Sequence, residues 1–362
     1  MLAPLLALML CMVTVDDWMA ARPTVDGLDI ERQRDGPLLR LRSGETVLAE
    51  GDMAVVQRAL VDVLTERHGD GRVSIPLPTM GGTQFWADVR WDGGWRVQRH
   101  ALTGHFRLLD GEDVRRAWGT RLACRAALEQ HRLEGDVATS PEHLVILLHG
   151  LGRSRRALKT LAERIAAQGL PTARLSYPST RGTLAEHASD LNDVLAGLEG
   201  VARVSYVTHS MGGIVVRHAL GLTDDGVKRP PPVRVVMLAP PSKGSAVARV
   251  LEDVPGFGLV MGPAAQELAH ISLETLPAPP CPFGIVAAIR GKPDGANPLI
   301  PGDDDGVVGV DETMLPGADD TLIVRGLHTF MMDDPDVADA TVRFLRTGWF
   351  LPEGEDGRAV EK

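Results

Sequence analysis

Ser210 stands in the run Thr208-His209-Ser210-Met211-Gly212-Gly213, between a β-rich apolar segment (Arg203 to Thr208) and an apolar stretch with helical patterning that begins at Met211. A serine raised on a tight strand-to-helix turn projects its hydroxyl from the sheet, and the N–H groups of the helix N-terminus behind it favour developing negative charge. The chemistry such a placement serves is nucleophilic attack on a carbonyl. Gly212 lets neighbouring backbone pack closely, while Thr208 occupies the position where the usual GxSxG turn has glycine, so it tests the assignment. A second segment meets the other need of acyl transfer. LVILL (Leu144 to Leu148) runs into His149-Gly150-Leu151-Gly152, a glycine-bracketed turn able to aim a backbone N–H. An oxyanion takes one donor from the residue after the nucleophile and one from an early loop, so Met211 and Leu151 are the expected oxyanion donors. His149 is expected to bond the loop backbone and hold the turn.

These residues need a scaffold, and the chain from Glu142 onward supplies its pattern. Apolar runs at Leu144 to Leu148, Thr172 to Tyr177, Arg203 to Thr208, Val233 to Leu238, Phe283 to Ile289 and Thr321 to Arg325 alternate with amphipathic stretches. The amphipathic stretches lie near Ser154 to Gln168, Leu184 to Leu198, Met211 to Leu220 and Asp336 to Arg346. That alternation predicts a doubly wound α/β fold whose mostly parallel sheet of about six strands is covered on both faces. The stretch 240–282 is longer than an ordinary connection and reads either as a lid or acyl-chain wall around Val254 to Gly262, or as a packed excursion over the sheet.

The HGLG turn, the THSMGG elbow and the strand/helix alternation resemble the α/β-hydrolase superfamily, specifically its bacterial lipase/esterase-like serine hydrolases. The resemblance covers about Glu142 to Leu351 and extends to YPSTRG, PPSKGS and PGDDDGVVGV. It implies a Ser, acid, His order along the chain. Of the 11 histidines only His218, His270 and His328 follow Ser210. His218 lies more than two helical turns beyond the elbow and His270 falls within the insertion. His328, in a loop just after an apolar strand, is the implied base. The implied acid lies in the loop after FGIVAAI, where Asp303, Asp304 and Asp305 are adjacent and Asp294 and Asp311 are near. Asp305, before Gly306-Val307-Val308, fits the resemblance best, with Asp303 and Asp304 as alternatives. A calcium site is the other reading of the three carboxylates, but it lacks the alternating ligands of an EF-hand.

The implied activity is carboxylester hydrolysis on a small-molecule or lipid ester through an acyl-enzyme, with no cofactor and no metal. The alternative is a catalytically silent binding or membrane-associated scaffold on the same fold. Composition agrees with a globular chain: 362 residues, 44% hydrophobic and 24% charged. With 38 Lys+Arg against 48 Asp+Glu the formal charge is −10, and no basic block stands out, so nucleic acid is not an expected partner. No protein partner is readable. Cys11, Cys124 and Cys281 are far apart and read as free thiols.

Ahead of the α/β pattern, residues 24–135 read as a small α+β accessory domain built of two hairpin-plus-helix units. The first unit carries a helix over Met53 to His68, and the second a helix over Asp113 to His131. Trp86, Trp91, Trp95 and Trp118 fall in this region and are expected as core or cross-strand pairs, with a ligand-stacking surface as the alternative. The boundary is placed in the polar junction from Glu134 to Glu142, so the catalytic domain spans 142–351 with insertion 240–282. Residues 1–22 begin with a short apolar run that reads as a leader or membrane anchor, or as an over-extended start. The first reading implies the cell envelope or secretion, with a membrane surface as a partner, and the second the cytoplasm.

Overall fold

A computed structural model describes residues 24–25, 28–32, 38–51, 84–221, 226–252, 257–271, 276–293 and 295–352, together with 55, 56, 59, 63 and 254. The apolar run of residues 1–22 with Cys11, most of the expected Met53 to His68 helix, and Asp294 lie outside the described residues.

Two antiparallel sheets come first. Strands β1 (Thr24–Val25), β2 (Leu28–Arg32), β3 (Leu39–Ser43) and β4 (Thr46–Gly51) form one in sequential order. Strands β5 (Trp86–Asp92), β6 (Trp95–His100), β7 (Phe106–Leu109) and β8 (Arg115–Gly119) form the other, also as a meander. The expected helix over Asp113 to His131 is therefore corrected: its first part is β8, and helix α1 runs over Arg121–Glu134. Gly119, at φ 127°, lies outside the helical region, and Thr120 starts the helix by accepting from the Ala123 N–H at 3.2 Å.

Trp86, Trp91 and Trp95 are buried, as aromatics on hairpins are expected to be, and Trp118 on β8 is half-buried. Arg107 stacks 4.0 Å from the Trp86 ring. Cys124 and Cys281 are free thiols, Cys124 within the core of the second sheet and Cys281 against the main core.

The central sheet follows, built from β9 (His143–Leu148), β10 (Thr172–Leu175), β11 (Arg203–His209), β12 (Pro232–Leu238), β13 (Phe283–Ile289) and β14 (Asp320–Arg325). All its pairings are parallel, in the order β10-β9-β11-β12-β13-β14. Because side chains alternate along a strand, each strand feeds two cores. Leu144, Ile146, Leu148, Tyr206 and Met237 face one core with helices α3 (Leu184–Ala196) and α4 (Met211–Gly221). Val145, Leu147, Val207, Val236 and Leu238 face the other with α2 (Lys159–Ala167) and α9 (Pro335–Thr347). Burial on both faces is why these strands read as continuous apolar runs.

Between β12 and β13 the chain forms α5 (Ala246–Leu251), α6 (Phe257–Met261) and α7 (Pro263–Glu267), and α8 (Val310–Thr313) lies between β13 and β14. Ala264, Leu268, Ala269 and Leu276 of the insertion belong to the main core. Its inner end is held by Arg217 of α4, which donates from Nε to Pro277 O at 3.0 Å and from Nη2 to Leu276 O. Among the described residues no helix is long and apolar enough to cross a membrane.

The second antiparallel sheet is joined to the open β10 edge of the central one. Asp88 N–H donates to Ser176 O at 2.9 Å, and Ser176 N–H donates to Asp88 Oδ2 at 2.6 Å. Arg99 of β6 pairs with Asp190 of α3 at 2.7 Å, and Trp91 packs in the main core.

Candidate active site

Ser210 follows the last residue of β11 and precedes the first of α4, and its φ is +53°. A non-glycine residue in the left-handed region costs energy that the surroundings must repay, and such residues cluster at functional sites. The surroundings here are tight. Ser210 N–H is tied to Leu238 O at 2.8 Å, and Gly213 N–H donates to Ser210 O at 3.0 Å. A Cβ on Gly212 would come within 2.6 Å of Leu148 O and 2.8 Å of His149 O, so only glycine lets α4 start this close to the end of β9. Thr208, the departure from the usual turn pattern, is accommodated by its neighbour. A Cβ on Gly213 would lie 3.2 Å from Thr208 Oγ1, which donates to Val236 O at 3.3 Å.

The loop after β9 is a four-residue turn closed by Arg153 N–H donating to Gly150 O at 3.2 Å, with Gly152 at φ 66°. It rests directly on the elbow, since a Cβ on Gly150 would sit 2.9 Å from Ser210 Cβ. His149 holds this turn as expected, donating from Nδ1 to Gly150 O at 2.9 Å. Its ring stacks on Tyr177 at 4.4 Å, and the Tyr177 hydroxyl donates to His149 O. Burial holds the His149 imidazole down at about 4, so it is neutral at pH 7. Neither Leu151 N–H nor Met211 N–H has a hydrogen-bond partner among the described residues. They flank Ser210 from the turn and from the start of α4.

His328 lies in the loop after β14 and gives its Nδ1 to Asp305 Oδ2 at 2.7 Å. The other carboxylate oxygen of Asp305 accepts from Val307 N–H at 3.0 Å and Val308 N–H at 2.8 Å, and His328 N–H donates to Asp305 O at 3.0 Å. Asp303 and Asp304 are turned to other tasks. Asp303 accepts from Arg290 N–H at 2.9 Å and Lys292 N–H at 3.0 Å. Asp304 accepts from Ala296 N–H at 2.9 Å and Gly306 N–H at 2.6 Å. The Asp303 and Asp304 carboxylates thus turn onto backbone donors, while that of Asp305 is divided between backbone donors and the His328 ring. Asp311 is on α8. His270 is exposed and bonded to Glu252 at 2.9 Å, and His218 sits in the last turn of α4.

His209, which the sequence offered no reason to single out, joins the two halves. It donates from Nε2 to His328 O at 2.9 Å, and its ring lies 4.6 Å from that of His328. Burial, with His328 next to it, holds His209 well below its ordinary value and keeps it neutral. Ser210 Oγ and His328 make no hydrogen bond to each other in this structure. Such bonds are often long without substrate and tighten when it binds.

Residues 138–241 match the family model described as "Putative serine esterase (DUF676)". The matched stretch takes in β9, the Gly150–Arg153 turn, the elbow and β12, and ends before Asp305 and His328. No curated protein matches the chain. Among solved structures the chain is similar to the product of gene lin2722 from Listeria innocua, at 15% identity and TM-score 0.42, over 60% of this chain and 98% of that one. It is similar to lipase BlEst2 of Bacillus licheniformis in propeptide form, at 20% identity and TM-score 0.43, over 53% of this chain and 48% of that one. It is also similar to phospholipase PlaB of Legionella pneumophila, at 15% identity and TM-score 0.43, over 57% of this chain and 58% of that one. The parallel sheet in its observed order and the strained serine after β11 are features of the α/β-hydrolase fold, and the chain has that fold.

Proposed function

We propose that this protein is a serine carboxylester hydrolase of the lipase/esterase type, acting on a small-molecule or lipid ester. Ser210 is the nucleophile, His328 the general base and Asp305 its partner, with Leu151 and Met211 N–H as oxyanion donors. The observation that carries the reading is the buried Asp305–His328 pair, docked through His209 on the turn that bears Ser210. Ser210 Oγ attacks the ester carbonyl as His328 Nε2 takes its proton. The carbonyl oxygen gains the electron pair and is met by the two N–H groups. Collapse expels the alcohol, which leaves with the proton from His328, and an acyl-Ser210 ester remains. Water, deprotonated by His328, then attacks that ester; the acid product departs and Ser210 regains its proton. Asp305 holds the Nδ1–H tautomer and offsets the imidazolium charge throughout. The steps draw on the chain's own groups and water.

The test is a fluorophosphonate probe on wild type and Ser210→Ala, with a p-nitrophenyl ester chain-length series in parallel. Labelling of wild type that disappears in Ser210→Ala, together with ester turnover, is expected. An unlabelled, inactive wild type would leave the scaffold reading in its place.

The division of the chain into an accessory region, 24–135, and a catalytic region, 142–351, is also proposed. It is supported by the change from antiparallel meanders to a parallel sheet across the junction.

A further inference from the structure

We infer that Gln84, just ahead of β5 in the N-terminal region, is a positioning residue for the oxyanion turn, so that the second antiparallel sheet completes the active site. This rests on the hydrolase reading above. The Gln84 amide is buried between two loops of the catalytic region and engages both. Its Oε1 accepts from Thr180 Oγ1 at 2.7 Å, Thr180 N–H at 2.9 Å and Ser179 Oγ at 3.3 Å. Its Nε2 donates to Arg153 O at 3.0 Å, at the end of the Gly150–Arg153 turn. Ser179, fully buried, in turn accepts from Gly152 N–H at 3.0 Å.

Leu151 N–H is therefore bracketed. Arg153 N–H closes the turn on Gly150 O, Gly152 N–H is held by Ser179, and Arg153 O is held by Gln84. The N–H of Leu151 is left without a protein partner among the described residues, available to a forming oxyanion. Gln84 is itself fixed from the N-terminal side, because Ala101 N–H donates to the carbonyl of its neighbour Phe85 at 2.7 Å. An amide is the group this junction needs, since one end must accept from the Ser179–Thr180 loop while the other donates to a carbonyl. Preorganised donors stabilise a transition state only when held where the charge develops, so slack in this turn costs rate rather than binding.

The experiment compares wild type, Gln84→Met, Ser179→Ala and the double variant in the full chain. Methionine keeps the volume and removes both hydrogen-bonding arms. The readouts are kcat and KM on a p-nitrophenyl short-chain ester, and affinity for a trifluoromethyl ketone, whose adduct with Ser210 carries the oxyanion. Each single variant is expected to lose about tenfold to a hundredfold in kcat and in ketone affinity, with KM changed less than about threefold. The double variant is expected to be little worse than either single, because both act on one turn. A Gln84→Met protein with kcat and ketone affinity within about threefold of wild type, or with only KM changed, would overturn the inference. If Gln84→Met fails to fold, Ser179→Ala decides alone by the same limits. A wild type without esterase activity would sink the hydrolase reading itself, whereas an active wild type with unimpaired variants would sink only the role of Gln84.

Discussion

His209 Nε2 donates to the main-chain carbonyl of His328 over 2.9 Å, so the residue before the proposed nucleophile holds the backbone of the proposed base. Two loops far apart in sequence are registered by one neutral imidazole. Replacing His209 with leucine removes the bond and loosens the β14 loop, which Asp305 still holds through the His328 N–H and Nδ1. A loss in kcat on the order of a hundredfold is expected, as for a small misplacement of a reacting group. Steady-state kinetics on a short-chain ester check it, and turnover equal to wild type would show that the loop is held by other contacts.

Ser210→Ala and His328→Ala are each expected to remove nearly all ester turnover, with the double variant little worse than either, because the two groups act as a unit. His328→Ala with turnover within about tenfold of wild type, alongside an inactive His270→Ala, would move the base to His270.

Asp305→Asn keeps an oxygen for the Val307 and Val308 N–H groups but turns an amide toward His328 Nδ1, where a donor now meets a donor. The imidazole then takes the wrong tautomer, and a loss on the order of 10⁴ in kcat is expected with the fold retained. Asp304→Asn places an NH₂ among the backbone donors of Ala296, Asn297 and Gly306. Its expected signature is a lowered melting temperature, with turnover in the cold far less affected. Equal large losses at Asp303, Asp304 and Asp305, reversed by added calcium, would instead mark a metal site.

Gly150→Ala would put a methyl 2.9 Å from Ser210 Cβ, against the elbow. Its expected effect is a selective loss of kcat as the turn and serine separate. Gly212→Ala meets backbone oxygens at 2.6 and 2.8 Å and is expected to cost stability first. Thermal melts and kinetics on both variants distinguish the two outcomes, and a fully active, fully stable Gly150→Ala would contradict the packing of turn on elbow.

Acid should unfold the protein early. Burial holds His149 and His187 down at about 4, and His209 well below 6.5, whereas all three titrate near 6.5 in the unfolded chain. As pH falls from 6.5 toward 4 the unfolded state takes up protons that the native state refuses, so stability drops through that window. Asp190 acts in the opposite sense. Burial raises it from 3.8 to about 6, so the native state is the better proton acceptor there and the contribution of Asp190 declines as pH rises. Three histidines outweigh one carboxyl, and melting temperature is expected to fall between pH 7 and 4.5. A flat profile would contradict it.

The elbow, the glycine turn and all six parallel strands were legible because each depends on neighbours in sequence: a buried run, a glycine, a serine between strand and helix. Thr208 looked like a departure, and its accommodation by Gly213 is equally local. Without the resemblance the sequence does not separate Asp305 from Asp303 and Asp304, since three adjacent carboxylates differ only in the partners that the folded loops bring to them. His209 and Gln84 were silent for the same reason, their partners lying 119 and up to 96 positions away. Arg115–Gly119 read as the start of a helix because a short meander strand of mixed polarity has no distinct period. Its strand character comes from pairing with β7.

The carboxylate of Asp88 bears on the order of events during synthesis. One of its oxygens is met within its own sheet, by Gln98 at 2.7 Å and Arg96 at 3.3 Å. The other waits for the Ser176 N–H, 88 positions later. A nascent chain emerging from the ribosome can close the β5–β8 meander from local contacts, but until Ser176 follows it that meander has an unmatched outer strand and a half-satisfied buried charge. Non-local pairings of this kind are slow to form and leave sticky edges exposed in the interval. The β5–β8 meander is therefore completed only once residue 176 is available to it, and its outer strand β5 is where an unfinished chain would offer an edge for mispairing.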